Sequence, residues 1–155
     1  MRIRIGLIFL MVLLAFGACN DTDCITTNTA YVNYAFYDQQ GRLISFQQPI
    51  TVTAAGTDSV LINQQTEMNT MKLPLCYTSV EDTFVVHYSE TMVDSIFVTH
   101  QNIPHFISMD CGMGMYHHID AVRSTNYAID SVQISNSEVT YDAKEHIRIY
   151  YTNNN

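Results

Sequence analysis

Tyr31-Val-Asn-Tyr-Ala-Phe-Tyr37 is the stretch that decides the fold class. It combines aromatic and β-branched residues, which pack well on a pleated surface. Val32, Tyr34 and Phe36 recur with a period of two, so they fall on one face of an extended backbone. The stretch therefore predicts a β-strand with one buried face.

Segments of the same kind follow at short intervals along the chain. Thr83–Tyr88 and Ser95–Thr99 alternate most regularly, and turn signals such as Asp38-Gln-Gln-Gly41 separate the segments. No segment shows a persuasive helical period. The pattern predicts an all-β fold, an antiparallel β-sandwich of roughly seven to nine strands, Ig-like or related. Strand signals cover 31–37, 43–46, 50–53, 60–62, 71–75 (at an edge, because of Pro74), 83–88, 95–99, 106–109, 131–135 and 146–151.

The first 18 residues have the layout of an export signal. Arg2 and Arg4 precede the apolar run Ile5–Phe16, and two small residues then lead to Cys19. The run is too short to span a bilayer, which takes about 20 residues. Small residues before a cysteine resemble the lipobox of bacterial lipoproteins, in which that cysteine is acylated. We therefore predict a signal peptide at 1–18 and lipidation of Cys19, with an ordinary secreted protein as the alternative.

This processing divides the chain into an anchor and one domain. The prediction assigns 19–28 to the lipidated cysteine and a tether, 29–152 to the β-sandwich and 153–155 to a tail. Loss of two of the seven basic residues leaves five against 15 acidic ones, so the net charge changes from −8 to −10. Such an acidic domain is disfavoured as a nucleic-acid binder. We expect an outer-membrane lipoprotein of the cell envelope, periplasmic or surface-facing, held by its acyl chains.

Three cysteines remain for the fold once Cys19 is acylated. In an oxidising envelope one pair and one spare thiol are expected, and the sequence allows three pairings of Cys24, Cys76 and Cys111. Cys24 and Cys111 occupy loop-like positions, whereas Cys76 lies in an apolar run. We favour a Cys24–Cys111 disulfide and expect Cys76 to be a buried free thiol.

A short motif occurs three times: Asp-Ser followed by two β-branched residues on either side of a variable one. Its aspartates, Asp58, Asp94 and Asp130, are 36 residues apart. Such a motif is typical of turn chemistry, because Asp and Ser bond to nearby backbone. It also resembles the O-glycosylation motif of envelope proteins. The second interpretation makes Ser59, Ser95 and Ser131 candidate glycosylation sites.

The segment Met109–His118 carries the one local cluster with metal-binding chemistry. On a strand, Met113, Met115 and His117 would project to one face, and thioether and imidazole groups suit Cu(I). Gly112 and Gly114 count against this because glycine interrupts strands. Methionines that pack at the edge of the core are the simpler interpretation, and copper handling is the alternative function.

With the whole chain considered, the sequence resembles an uncharacterised family of small Bacteroidota lipoproteins, defined as a domain of unknown function. The resemblance implies a Cys24–Cys111 pair, because both cysteines recur in that family. It implies no activity. The matching pieces span residues 23–151 in family order: Asp23-Cys24, Tyr34–Asp38, Asp58-Ser-Val60, Lys72–Leu75, Asp94-Ser-Ile96, Asp110-Cys-Gly112, Ile134-Ser-Asn136 and His146–Tyr150.

Enzyme motifs are absent from the sequence: there is no Gly-x-Ser-x-Gly elbow, phosphate loop or His-Glu-x-x-His pair. We therefore expect no catalytic residues and no cofactor. The sequence predicts a non-catalytic β-sandwich module that binds an envelope protein or a glycan, or serves as an accessory subunit.

Overall fold

The computed structural model describes residues 29–57, 59–109 and 111–152. These residues form an all-β fold of ten strands with no helix among them. No helix in this part of the chain is long and apolar enough to cross a membrane. The strands are β1 Tyr31–Asp38, β2 Ile50–Ala54, β3 Val60–Gln65, β4 Thr70–Pro74, β5 Glu81–His87, β6 Val93–Ser108, β7 Gly112–Ser124, β8 Ile129–Ile134, β9 Glu138–Val139 and β10 Ile147–Tyr151.

The strands form two sheets that enclose the core. One sheet has the order β4-β1-β10-β8, and the other has the order β3-β2-β5-β6-β7-β9. Val32, Tyr34 and Phe36 of β1 are buried, as their period predicted. Burial of a side chain of this size stabilises the fold by roughly 1.5–3 kcal/mol. The predicted all-β sandwich is confirmed.

One central pairing departs from the antiparallel expectation. β1 and β10 are parallel, with Tyr34 opposite Ile147 and Asp38 opposite Tyr151. The other pairings between these ten strands are antiparallel. β1 and β10 come from opposite ends of the domain, so no tight hairpin turn dictates their direction.

The longest hairpin lies where the sequence predicted a break. β6 and β7 pair from Ile96 opposite Ser124 out to Ser108 opposite Gly112. Gly112 begins β7 with φ at +71°, a conformation that side chains disfavour. Gly114 lies inside β7, where an added Cβ would collide with the Tyr141 hydroxyl. Here glycine permits a turn and a close approach, so the expectation that it interrupts the strand was wrong.

Other differences from the predicted strands are small. β4 is an edge strand, as Pro74 suggested. Segment 43–46 forms only isolated bridges, from Leu43 to Tyr37 and from Phe46 to Met68. β9 has two residues and was not predicted. The predictions for 1–18, 19–28 and 153–155, including Cys19 and Cys24, lie outside the described residues.

Candidate functional site

A pocket of about 600 Å³ opens at one end of the sandwich. Its volume is in the range of small-molecule sites. Its walls come from the loop before β2, the β5–β6 turn, the β7–β8 loop and the end of β10. The lining residues are 44–48, Ile50, Tyr88, Met92, 126–130, Tyr151 and Thr152. We call this the aromatic pocket.

The base of the aromatic pocket is a cluster of packed rings. The ring centroids of Phe46 and Tyr151 are 4.8 Å apart, and Tyr88 lies 5.9 Å from Phe46. The hydroxyls of Tyr88 and Tyr151 are hydrogen-bonded at 2.9 Å. Burial raises the pKa of both phenols, so both stay neutral at physiological pH. The base is therefore closely packed and uncharged.

The rim of the aromatic pocket is polar apart from two exposed side chains. Tyr127 is 81% exposed and Met92 is 49% exposed. Gln47, Gln48 and Asp130 also line the pocket and are exposed. A second depression of about 520 Å³ shares Met92 and Tyr127 with it. These side chains offer apolar faces next to groups that donate and accept hydrogen bonds.

Asp94, from the Asp-Ser motif, holds one wall of the pocket. Its buried carboxylate accepts hydrogen bonds from the Thr125 hydroxyl at 2.7 Å and from the backbone N–H groups of Tyr127, Ala128 and Ile129 at 2.9, 2.8 and 3.0 Å. Four bonds to one carboxylate order the loop that presents Tyr127. These four partners are 31 to 35 residues away in the chain. Asp94 therefore makes long-range bonds to another loop, and the predicted bonding to nearby backbone does not describe it.

A second polar cluster is buried beneath β6 and β7. His100 and His117 have ring centroids 5.3 Å apart, with the rings nearly perpendicular. His100 Nε2 lies 3.1 Å from Asp82 Oδ2, and His117 Nδ1 lies 2.7 Å from Asn102 Oδ1. Burial, helped by the nearby His100, lowers the pKa of His117 to about 4. Sequence reasoning missed this cluster because cross-strand partners are far apart in the chain.

The predicted copper ligands lie along one face of β7. Alternation is unbroken from Met113 through Met115 to His117, since the irregularities of this hairpin lie elsewhere. Solvent exposure changes along this face, because Met113 is exposed and His117 is buried. No group of three His, Cys, Asp or Glu residues with metal-binding geometry occurs among the described residues.

Cys76 is free, as predicted, and it is the free cysteine of the described residues. Its predicted burial was wrong, because β4 ends at Pro74 and the chain turns outward after the buried Leu75. A hydrogen bond with the Thr78 hydroxyl lowers the pKa of the Cys76 thiol.

Cys111 lies just before β7, and its proposed partner Cys24 is outside the described residues.

The three candidate glycosylation serines have different surroundings. Ser59 and Ser131 are exposed, whereas Ser95 is half-buried in β6. The Ser95 backbone N–H donates to the Thr125 hydroxyl at 2.8 Å. Exposure makes Ser59 and Ser131 the more accessible acceptors, and their modification stays a prediction.

Two packed sheets with a ligand-sized pocket at one end define a β-sandwich domain whose surface carries a recessed, mixed-polarity site. The model of a family of unknown function, DUF6452, matches residues 49–151, more than half of the chain. The chain belongs to this family, which confirms the predicted domain of unknown function. No curated protein and no solved structure matches the chain.

The family match includes the pocket residues from Ile50 to Tyr151 and leaves out 44–48 and Thr152. Sequence reasoning did not select these pocket residues. The one available signal was Tyr127, an aromatic residue in an otherwise polar loop. Its neighbours across the pocket come from distant loops, so spacing along the chain could not group them.

Proposed function

We propose that this protein is a non-catalytic, lipid-anchored module of the cell envelope that binds a glycan in the aromatic pocket. The observation that carries the proposal is the lining of that pocket, in which exposed Tyr127 and Met92 stand beside Gln47, Gln48 and Asp130. A sugar has an apolar C–H face and a ring of hydroxyls, so it needs both an aromatic surface and planar groups that accept and donate.

The electrostatics of the pocket support an uncharged ligand. Asp130 is the one Asp, Glu, Lys, Arg or His residue of its lining, and the phenols of Tyr88 and Tyr151 stay neutral at physiological pH. A strongly anionic ligand would find no basic partner in this lining. A neutral saccharide requires no such partner.

Glycan binding is tested on the detergent-solubilised full chain with an array of bacterial and host glycans. Tyr127→Ala should weaken binding of the best array ligand by about tenfold or more, because burying a large apolar side chain against a ligand contributes roughly 1.5–3 kcal/mol. Tyr77→Ala is the matched control, since Tyr77 is exposed but does not line the pocket. Equal losses in both variants, or no binding above background, would contradict the proposal.

The lipid anchor is tested separately. Mass spectrometry of the protein from its native membrane should show an acylated N-terminal peptide that begins at Cys19. Cys19→Ala should abolish that mass and move the protein out of the membrane fraction. The anchor would place the acidic domain in the envelope, in the outer membrane, facing the periplasm or the surface.

Copper handling through Met113, Met115 and His117 is the second candidate function. The shared face of these residues on β7 favours it, and the burial of His117 opposes it. Titration with Cu(I) distinguishes the two functions, because a copper protein would take up the metal stoichiometrically and lose it in Met113→Ala and Met115→Ala.

A further inference from the structure

The outer half of the β6–β7 hairpin extends beyond its neighbours in the sheet. β5 pairs with β6 only between Val93 and Thr99. The pairing of β6 with β7 continues to Ser108 opposite Gly112. From Ile103 onward, β6 therefore has β7 as its only paired strand in the described structure.

This extension ends in an exposed apolar surface, the apolar tip, formed by Phe106, Met109 and Met113. Met109 is 90% exposed, and Phe106 and Met113 are 54% and 55% exposed. Phe106 is directly opposite Met113, so the two share one face of the ribbon. That face is buried at His117 and is about half-exposed at Phe106 and Met113, nearer the turn.

The scarcity of charged residues at the tip favours its contact with a lipid surface. Between Asn102 and Tyr116, Asp110 is the only Asp, Glu, Lys or Arg. Residues 19–155 together carry a net charge of −10. Anionic headgroups repel such a domain, and the nearly uncharged tip is the part that can approach them.

The length of chain ahead of Thr29 allows the proposed anchor to reach the tip. Thr29 bridges in parallel to Met115 of β7. Cys19 is ten residues ahead of Thr29, a span of at most about 35 Å. The proposed Cys24–Cys111 disulfide would leave five residues, about 18 Å, between the acylated cysteine and the hairpin turn.

We infer that the apolar tip inserts into the headgroup region of the bilayer that holds the acyl chains. This inference rests on the proposed lipid anchor. Phe106 and Met109 add buried apolar area at the membrane boundary, which strengthens binding in the way that an interfacial segment does. The aromatic pocket then faces away from the membrane, because Tyr127 follows the opposite end of β7.

The sequence contains no tryptophan, so a single Trp reports the position of one site. Lipidated full-chain Phe106→Trp is reconstituted into vesicles of phosphatidylethanolamine and phosphatidylglycerol, with or without brominated acyl chains. We expect a blue-shifted emission and at least about twofold quenching by the brominated lipid. Tyr127→Trp is the matched control and should stay unquenched. Met109→Trp replaces Phe106→Trp if the latter fails to fold.

The outcomes of this experiment distinguish a bilayer from a second copy of the protein as the partner of the tip. Absence of quenching at position 106, in protein that carries its acyl mass and floats with the vesicles, overturns the inference and leaves the anchor intact. A blue shift that depends on protein concentration without lipid assigns the tip to a second copy and also overturns it. Absence of the acyl mass in the unsubstituted protein overturns the anchor, and the orientation with it.

Discussion

Asp94 shows how much one residue can contribute to the order of a loop. Its carboxylate is buried and accepts four hydrogen bonds from the β7–β8 loop. Asp130 occupies the equivalent place in a repeat of the same motif but is exposed, with one contact of 3.5 Å to the Thr152 hydroxyl. The motif alone therefore does not determine the role of its aspartate.

Asp94→Asn should lower the free energy of unfolding by about 1–3 kcal/mol, because even in its better orientation the amide NH₂ faces the Tyr127 N–H and leaves that donor unsatisfied. Asp130→Asn, the control, should change it by less than about 0.5 kcal/mol. Urea denaturation monitored by tyrosine fluorescence measures both. Similar effects in the two variants would show that the buried carboxylate has no special role.

His117 should make the fold sensitive to mild acid. Its folded pKa is about 4, below the ordinary value of 6.5. As the pH falls between these values, the unfolded chain binds a proton that the folded protein excludes. Stability is therefore lost through this window, by roughly 3 kcal/mol in total. The buried His146, whose pKa is also lowered, adds to the slope.

The measurement is the free energy of unfolding from pH 7 to pH 4. His117→Gln should flatten the slope in this window, even if it lowers stability at pH 7. His105→Gln replaces an exposed histidine and should keep the wild-type slope. An unchanged slope in His117→Gln would refute the assignment.

The β6–β7 hairpin shows where prediction from sequence failed at the level of elements. Alternation of apolar and polar residues correctly predicted the first part of β6, where Ile96 and Val98 are buried between half-exposed neighbours. β7 was missed because Gly112 and Gly114 interrupt its pattern. Glycine in a strand weakens it unless something approaches closely, and here Tyr141 does so from elsewhere in the chain. No local signal in the sequence contains that contact.

The proposed disulfide belongs to this hairpin, since it would fasten the tether to the turn before β7. Peptide mapping without reductant should recover a Cys24–Cys111 linkage and an alkylated Cys76. Cys24→Ser should lower the free energy of unfolding by about 4 kcal/mol, the chain-entropy value for a loop of nearly ninety residues.

Cys76→Ser is the control for that experiment. Its thiol is exposed and free, so the variant should unfold like the unsubstituted protein. A linkage that contains Cys76 would disprove the predicted pairing.

At the scale of the whole molecule, the sequence predicted the class of fold but not the site. Alternating segments such as β1 and β5 define which faces are buried, and two sheets follow from the need to cover those faces. The aromatic pocket depends on Phe46, Tyr127 and Tyr151, which come from three separate loops or strand ends. Their meeting is a property of the strand order, which periodicity does not encode.

The length of β7 separates the two proposed surfaces. β7 has 13 residues and therefore spans about 40 Å. The apolar tip lies at its beginning, and Tyr127 lies just after its end. In the proposed orientation a glycan would be bound well clear of the lipid headgroups.

The parallel pairing of β1 with β10 has a mechanical consequence. In the proposed orientation, a glycan bound near Tyr151 would pull on the end of β10, while an anchor ahead of Thr29 would pull on the start of β1. In two parallel strands loaded at these opposite ends, the force runs along the strands and across every hydrogen bond between them. The bonds would then share the load instead of opening one after another, so the domain would resist tension between an anchor and a bound ligand.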